Sequence, residues 1–344
     1  MNPAAPVIDA LSRRPALAGA TTILRGVFFA LAAASACALP TRTLAADYPE
    51  RPIRLIVPYA PGGGADISAR IIGQRLSERL GRQMAVENRP GGAANIGTLA
   101  AARSAPDGYT ILLSTISTAV NVTLFPKTEF DVLRDFDPVS LFVSVPLVVL
   151  SHPGFPAQNI TELIALAKAN PGKFNYASGG IGTANHIAGE LFKYMAGVNI
   201  AHIPYKGGGP ALSDVVAGHA NLLFNSTASS MEFVKQNKLR VFGITSEQRS
   251  AMFPSLPTIA ESGLPGYAVG AWYGILAPAG TPPPIVNRLS SEIARTARLP
   301  EVREQLRSQG ADPVGSTPEE FGRYLRAEIT KWANVVKASG MTAE

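Results

Sequence analysis

The segment IRLIVPYAPGGGADISARIIGQRLSERL, residues 53–80, indicates how this chain folds. It opens with a short apolar run, Ile53 to Tyr59, which is rich in β-branched side chains and favours a strand. Apolar residues then recur at helical spacing from Ile67 to Leu80, until Gly81 ends the pattern. The segment therefore predicts a strand, a glycine-rich loop and a helix, which together make one βα unit.

Two later strand-to-helix junctions are glycine-rich in the same way. They are SGGIGT at residues 178–183 and YKGGGP at residues 205–210. Each follows an apolar run and precedes an amphipathic one. Glycine lets the backbone approach a ligand closely, and a helix N-terminus presents unpaired N–H groups with partial positive charge. Three such junctions predict that a carboxylate or phosphate is held between loops.

Strand and helix patterns alternate along most of the chain. Alternation of this kind predicts an α/β fold with mostly parallel sheets covered by helices on both faces. The long apolar run Leu141 to Ser151 could cross from one domain into another, and Ala268 to Ala277 could cross back. The chain is therefore predicted to form a discontinuous first domain, residues 47–147 plus 268–344, and a second domain, residues 148–267. Further helices are predicted at 95–104, 160–169, 183–196, 210–217, 285–299, 300–309 and 318–338.

The first 46 residues have the pattern of an export signal. Arg13, Arg14 and Arg25 precede the apolar stretch 26–39, and cleavage is predicted near Ala46. The general and twin-arginine export routes both remain open. A lipid anchor on Cys37, which lies in ASAC at residues 34–37, is a further alternative. The pattern predicts a periplasmic protein without its own membrane span.

Composition and motifs argue against several classes of function. Removing the signal would lower the net charge from +6 to +3 and would remove the only cysteine. The cations form no basic run, so no nucleic-acid partner is predicted. The four histidines are scattered without metal-ligand spacing, and dinucleotide, P-loop and nucleophile-elbow motifs are absent from the sequence. We therefore expect no metal, no cofactor and no enzymatic activity.

Each candidate residue also has an ordinary structural interpretation. A glycine-rich junction can be a simple tight turn, and Asp66 or Thr183 can be a helix N-cap. His186 can face the cleft or be a buried structural histidine, and Lys206 can be a solvated surface cation. Trp272 and Tyr273 are interpreted as packing or hinge residues, with ligand contact as the alternative.

Motifs along the whole chain after residue 46 resemble a known family. In the first half they are YPERP (48–52), VPYAPGGGAD (57–66), ENRPGG (87–92) and APDGY (105–109). In the second half they are NYASGGIGT (175–183), IPYKG (203–207), LPT (256–258) and LAPAGTP (276–282). The chain is identified on these motifs as similar to the Bug family, the periplasmic substrate-binding receptors of tripartite tricarboxylate transporters.

The resemblance implies a two-domain periplasmic binding protein fold of type II, with crossing strands and a ligand cleft. It also implies that carboxylates are recognised largely by backbone amides and bridging waters. Carried over residue by residue, the implied ligand contacts are Tyr59, Ala60, Gly63, Gly64, Asp66, Ser114, Thr115 and Ser117 in the first domain, and Ser178, Gly182, Thr183, His186, Tyr205 and Lys206 in the second. Asn225 is a further candidate and a departure, because the family usually has an aspartate there. The loss of that charge argues against recognition of an ammonium group.

The function expected from these observations is capture of a small organic carboxylate by a monomeric receptor that delivers it to membrane permease subunits. Two alternatives remain open at this stage. One is a sensory receptor that presents its closed form to a two-component system. The other is an exported hydrolase of carboxylate esters.

Overall fold

The computed structural model describes residues 48–250 and 252–343. The predicted export signal, its cleavage near Ala46 and Cys37 lie outside these residues. Within the described part of the chain, no helix is both long and apolar enough to cross a membrane.

Strands and helices alternate through the first three quarters of the described chain, and helices dominate its end. The strands are β1 (Ile53–Val57), β2 (Met84–Asn88), β3 (Thr110–Thr115), β4 (Phe136–Ser151), β5 (Asn175–Ser178), β6 (Ala201–Pro204), β7 (Leu222–Ser226), β8 (Arg240–Ile244), β9 (Gly270–Pro278) and β10 (Asp312–Pro313). The helices are α1 (Gly64–Leu80), α2 (Asn95–Ala102), α3 (Ile116–Leu124), α4 (Val132–Asp135), α5 (Ile160–Ala169), α6 (Ala184–Ala196), α7 (Gly208–Val216), α8 (Thr227–Lys235), α9 (Pro283–Arg298), α10 (Pro300–Ser308) and α11 (Pro318–Ser339). A 3₁₀ turn, Gly92–Ala94, precedes α2.

The strands form two sheets that share β4. In the first, β1 pairs in parallel with β2 and β3, and β9 lies antiparallel between β3 and the first part of β4. In the second, β5 pairs in parallel with β6 and β7, and both β7 and β8 pair antiparallel with the end of β4. We call the part built on the first sheet lobe 1 and the part built on the second sheet lobe 2.

The strand β4 pairs with strands of both lobes. Its pairing with β9 ends at Pro146, and its pairing with β7 begins at Leu147. The chain returns to lobe 1 where the Val269 N–H bonds the Thr245 carbonyl and β9 begins at Gly270. These changes of sheet lie next to the crossings expected from the sequence, and the domain boundaries themselves stay a prediction.

The C-terminal helix α11 packs against elements of both lobes. It begins with a capping box between Thr317 and Glu320 and ends before Gly340, whose φ of +68° suits a left-handed C-cap. The helix packs on β4, α3 and α6, and therefore contacts both lobes. The indole N–H groups of Trp272 and Trp332 both donate to the same Glu328 oxygen at 2.9 Å. Trp272 is therefore a core residue of the crossing strand β9, as its packing interpretation predicts.

The elements largely follow the sequence pattern, but three α-helices were not predicted. The short α4 is one of them, and the other two, α3 and α8, directly follow a strand end. Both begin with a polar N-cap, because the side chain of Thr115 accepts from Ser117 N–H and that of Ser226 accepts from Ser229 N–H. The α3 N-terminus is important because it lies at the contact between the lobes.

Candidate functional site

The three glycine loops of the sequence lie at the carboxyl ends of parallel strands. They follow β1, β5 and β6 and lead into α1, α6 and α7. Ligands of open α/β sheets bind outside this end of the strands. All three helices begin without a hydrogen bond from an N-cap side chain, whereas α3, α4, α5, α8 and α11 have one. The first-turn amides of α1, α6 and α7 are therefore open to an anion.

Asp66 hydrogen-bonds the backbone of the first glycine loop, which follows β1. Its buried carboxylate accepts hydrogen bonds from Gly62 N–H at 2.9 Å, from Asn88 at 2.9 Å and from Arg70 at 3.0 Å. Burial raises the pKa of Asp66, but the bonds from Arg70, Gly62 and Asn88 outweigh it and leave the pKa below its usual value. An ionised, fully bonded carboxylate holds the loop in place, and Gly63 and Gly64 remain exposed. Ala60 is exposed in the same loop.

Tyr59 joins this loop to the start of α3. Its hydroxyl lies 2.6 Å from Thr115 Oγ1, which also accepts Ser117 N–H as the cap of α3. Burial raises the pKa of Tyr59 despite hydrogen bonds from Ser117 and Thr115 that lower it, so the phenol is neutral. Tyr273 on β9 approaches from the other side, because its hydroxyl lies 3.0 Å from the position that a Cβ on Gly64 would take.

Ser117 connects the two lobes directly. Its hydroxyl donates to the Gly182 carbonyl at 2.6 Å, so the start of α3 in lobe 1 touches the glycine loop after β5 in lobe 2. A Cβ on Gly182 would lie 3.4 Å from Asn121 Oδ1 and 3.7 Å from Ala93 Cβ. The second glycine loop is therefore enclosed by two separate segments of lobe 1.

Two buried polar atoms, one near the end of β3 and one on α3, have no hydrogen-bond partner in the described chain. They are Ser114 Oγ and Asn121 Oδ1, and their residues are 0% and 3% exposed. Buried polar groups are normally satisfied, and an unsatisfied one costs about 1–3 kcal/mol. Asn121 Oδ1 lies next to Gly182 of lobe 2 and can accept a hydrogen bond from a polar group that enters between the lobes. Ala93 and Ala94, next to Asn121, have φ values of +54° and +78°, which indicates local backbone strain.

The loop Ser178–Thr183 is held in place by hydrogen bonds between side chains and its backbone. Ser178 Oγ accepts Gly180 N–H at 3.0 Å, and Thr183 Oγ1 donates to the Gly180 carbonyl at 2.6 Å. His186 Nδ1 accepts Gly182 N–H at 3.2 Å, so His186 supports the loop and is 4% exposed. Ser178 and Thr183 lie on the predicted loop, but their side-chain bonds go to the loop itself and to His202.

Tyr205 and Lys206 lie on the third glycine loop and differ in their surroundings. The Tyr205 hydroxyl donates to Asp214 at 2.6 Å, and this bond, with burial, raises the pKa of Tyr205 to about 12. Lys206 is exposed and forms no hydrogen bond or ion pair with residues that the structure describes. The loop packs backbone against backbone on its neighbour, because Gly207 N–H donates to the Gly179 carbonyl at 3.2 Å.

Asn225 lies beneath α6 and α7 and is buried. Its Oδ1 accepts from Asn185 at 3.1 Å, and its Nδ2 donates to Ser229 and Ser230 at 3.0 and 3.1 Å. Gly208, the first residue of α7, would place a Cβ 3.8 Å from Asn225 Oδ1. Asn225 therefore joins the starts of three helices.

Sequence reasoning did not single out Asn121, and it interpreted Tyr273 first as a packing residue. Asn121 is four residues after Ser117 on α3, so the two lie on the same face of that helix. The helix was not predicted, and this relation could not be seen. Tyr273 is adjacent to a core tryptophan in sequence but points to the opposite side of the strand, as alternation requires.

The geometry defines a two-lobed solute-binding protein of the periplasmic binding protein class, with the two-domain type II α/β fold. The model of the tripartite tricarboxylate transporter family receptor matches residues 68–341, so the chain belongs to that family. The chain is 39% identical to the protein BugT of Bordetella pertussis over 318 residues, which cover 92% of this chain and 96% of BugT.

Two solved structures of relatives contain carboxylate ligands. The structure of R. palustris Rpa4515 with adipate is 34% identical, covers 86% of this chain and 99% of its own, and has a TM-score of 0.80. MatC (Rpa3494) from Rhodopseudomonas palustris with bound malate is 31% identical, covers 84% of this chain and 100% of its own, and has a TM-score of 0.76. These findings confirm the predicted family and fold class.

Proposed function

We propose that this protein is an extracytoplasmic receptor that binds a small organic carboxylate between its lobes and delivers it to transporter membrane subunits. One observation carries the proposal. The uncapped starts of α1 and α6 lie on opposite lobes, and the bond from Ser117 to Gly182 brings the loop before α6 against lobe 1. Carboxylate ligands in the adipate and malate structures of relatives support the same ligand class.

The mechanism we propose is closure around the ligand. One carboxylate end accepts backbone N–H bonds from Gly63 and Gly64, and other ligand oxygens accept bonds from the uncapped first-turn amides of α6. Contacts to both lobes stabilise the closed form, and a membrane permease distinguishes that form from the open one. No metal, cofactor or chemical step is part of this mechanism.

The predicted site residues divide into two groups in this proposal. The proposed ligand contacts are Ala60, Gly63, Gly64, Ser114 and Lys206. The residues that shape the loops are Tyr59, Asp66, Thr115, Ser117, Ser178, Gly182, Thr183, His186, Tyr205 and Asn225, because their polar atoms already bond protein groups. The departure at Asn225 favours an acid without an amino group, since no carboxylate stands there to pair with an ammonium.

A thermal-shift screen tests the ligand class. A ligand at about a hundred times its dissociation constant stabilises the folded protein by roughly 2.7 kcal/mol, which raises the melting temperature by several degrees. Adipate, malate and benzoate are compared with aspartate and glutamate. Stabilisation by the simple acids supports the proposal, and stabilisation by the amino acids alone contradicts the argument from Asn225.

Delivery and export need separate measurements. Uptake of the stabilising acid into proteoliposomes that contain the transporter membrane subunits should depend on added receptor. An unchanged uptake rate without receptor would favour a sensory role instead. Export predicts a periplasmic protein whose N-terminus follows Ala46, and size-exclusion chromatography tests the predicted monomer. Turnover of carboxylate esters would indicate the hydrolase alternative.

A further inference from the structure

The imidazole rings of His186 and His202 both hydrogen-bond the Ser178–Thr183 glycine loop of lobe 2. His186 Nδ1 accepts the Gly182 N–H at 3.2 Å, and His202 Nε2 lies 2.6 Å from Ser178 Oγ. Gly182 is near the end of the loop and Ser178 is at its beginning. Each end of the loop is therefore attached to one histidine, and the ring centroids of the two histidines lie 4.3 Å apart.

The bond to Gly182 requires a neutral His186. A backbone N–H can only donate, so Nδ1 must carry no proton and the proton of the neutral ring is on Nε2. The site favours this state, because burial, followed by the neighbouring His202, lowers the pKa of His186 to about 4.

The surroundings offer little compensation for a charged imidazolium. Besides each other, the two histidines face Tyr176 on β5 and the charged pair Glu190 and Lys193 on α6 itself. Glu190 is the only carboxylate among them. Its Oε1 already accepts bonds from Lys193 at 2.7 Å and from Tyr176 at 2.6 Å. Lys193 disfavours a second positive charge beside it.

We propose that His186 is a positioning residue, which holds the Ser178–Thr183 loop ready for the carboxylate only while its Nδ1 carries no proton. This inference rests on the proposed function of the loop. Protonation places a second donor opposite the Gly182 N–H, so the hydrogen bond is lost and the loop end moves. The Gly182 carbonyl accepts the bond from Ser117, and the movement therefore also weakens the contact between the lobes. Acidification thus releases the ligand through the protein.

Two variants separate this role from simple packing. His186→Asn keeps an acceptor oxygen close to the place of Nδ1 but does not titrate. His186→Leu keeps apolar volume and removes the acceptor, which leaves the Gly182 N–H without a partner. We expect adipate affinity at pH 7 to fall about tenfold in His186→Leu and to be largely restored in His186→Asn.

The pH dependence of the loop and of ligand binding is measured on the whole chain that follows the predicted signal. First, the amide resonance of Gly182 is followed by ¹⁵N–¹H NMR without ligand from pH 7 to pH 3.5. It should shift with a midpoint near 4 in the wild type and shift much less in His186→Asn, in which only His202 of the pair still titrates. Second, adipate binding is measured by calorimetry at the same pH values. Because adipate also takes up protons, affinity is expressed relative to His186→Asn, and the wild type should bind about twofold more weakly at pH 4 and about fourfold at pH 3.5.

Failure of the proposed function and failure of the inference about His186 give different results in these measurements. If adipate does not bind the wild type at pH 7, the ligand class in the proposed function loses support, and the Gly182 resonance still decides the role of His186. The inference is overturned if the Gly182 resonance does not change as His186 titrates, whatever the binding data show. An identical pH profile in the wild type and His186→Asn overturns it as well.

Discussion

Substitution of Gly182 by valine tests whether the second glycine loop binds ligand through its backbone. Gly182 has a φ of +77°, a left-handed conformation that costs a residue with a Cβ roughly 1–2 kcal/mol. Its Cβ would stand 3.4 Å from Asn121 Oδ1, and the γ carbons of valine would extend further into that space. We expect the loop to move away from lobe 1 and lose the bond from Ser117.

The expected loss of affinity is large. The Ser117 bond contributes about 1 kcal/mol, and displaced amide bonds to a carboxylate contribute about 1.5–3 kcal/mol. A total near 3 kcal/mol corresponds to binding more than about 100-fold weaker. Calorimetric titration with adipate and malate measures this loss, and circular dichroism confirms that the variant folds.

Gly197→Val is the matched control. Gly197 lies at the other end of α6 with a φ of +61°, and nothing lies within 4 Å of a Cβ built on it. It carries a similar backbone cost without touching the interlobe contact. We expect both variants to lose thermal stability and only Gly182→Val to lose affinity. Equal affinity in the two variants would refute the idea that the loop approaches the ligand.

Four further outcomes are expected. Gly64→Val should weaken adipate binding, because its Cβ would lie 3.0 Å from the Tyr273 hydroxyl and would cover the exposed first turn of α1; unchanged calorimetric affinity would make this loop a turn only. Ser117→Ala should weaken binding about three- to tenfold through loss of its 2.6 Å bond, with Ser308→Ala, which is exposed at the end of α10, as a surface control. The free energy of unfolding in urea should fall as the pH falls from about 6.5 to about 4, because His186 and His202 both bind protons less readily folded than unfolded, and His186→Asn should remove the share of His186, roughly 3 kcal/mol. Chelator treatment should leave carboxylate affinity unchanged, and a large loss would reveal a metal requirement.

The sequence predicted the glycine loops because their signal is local. Glycine and proline punctuate the chain at each strand end, and the helices after them have clear apolar periodicity. Helix α3 was missed because its sequence, ISTAVNVTL, is rich in β-branched and hydroxyl residues that are poor helix formers. Its capping box and its packing against α11 stabilise it instead.

The contact between the lobes could not be predicted from local patterns. Ser117 and Gly182 are 65 residues apart, and their bond depends on the crossing of β4 between the two sheets. The pairing of His186 with His202 likewise depends on the parallel register of β5 and β6, because Tyr176 lies opposite His202 in that register. Residue type indicated which side chains could act, but only the topology shows which of them meet.

The distribution of hydrogen bonds has a consequence for specificity. Asp66, Tyr205 and Asn225 are the polar side chains that would most readily distinguish one ligand from another, yet their polar atoms already bond protein groups. What remains open near the lobe contact is mostly backbone N–H, which recognises any carboxylate, together with the unpartnered Oδ1 of Asn121. Backbone amides thus select the class of ligand, while selection within the class falls to the few side-chain atoms without protein partners. Receptors with one loop architecture can then exchange one acid for another by changing these side chains and leaving the glycine loops intact.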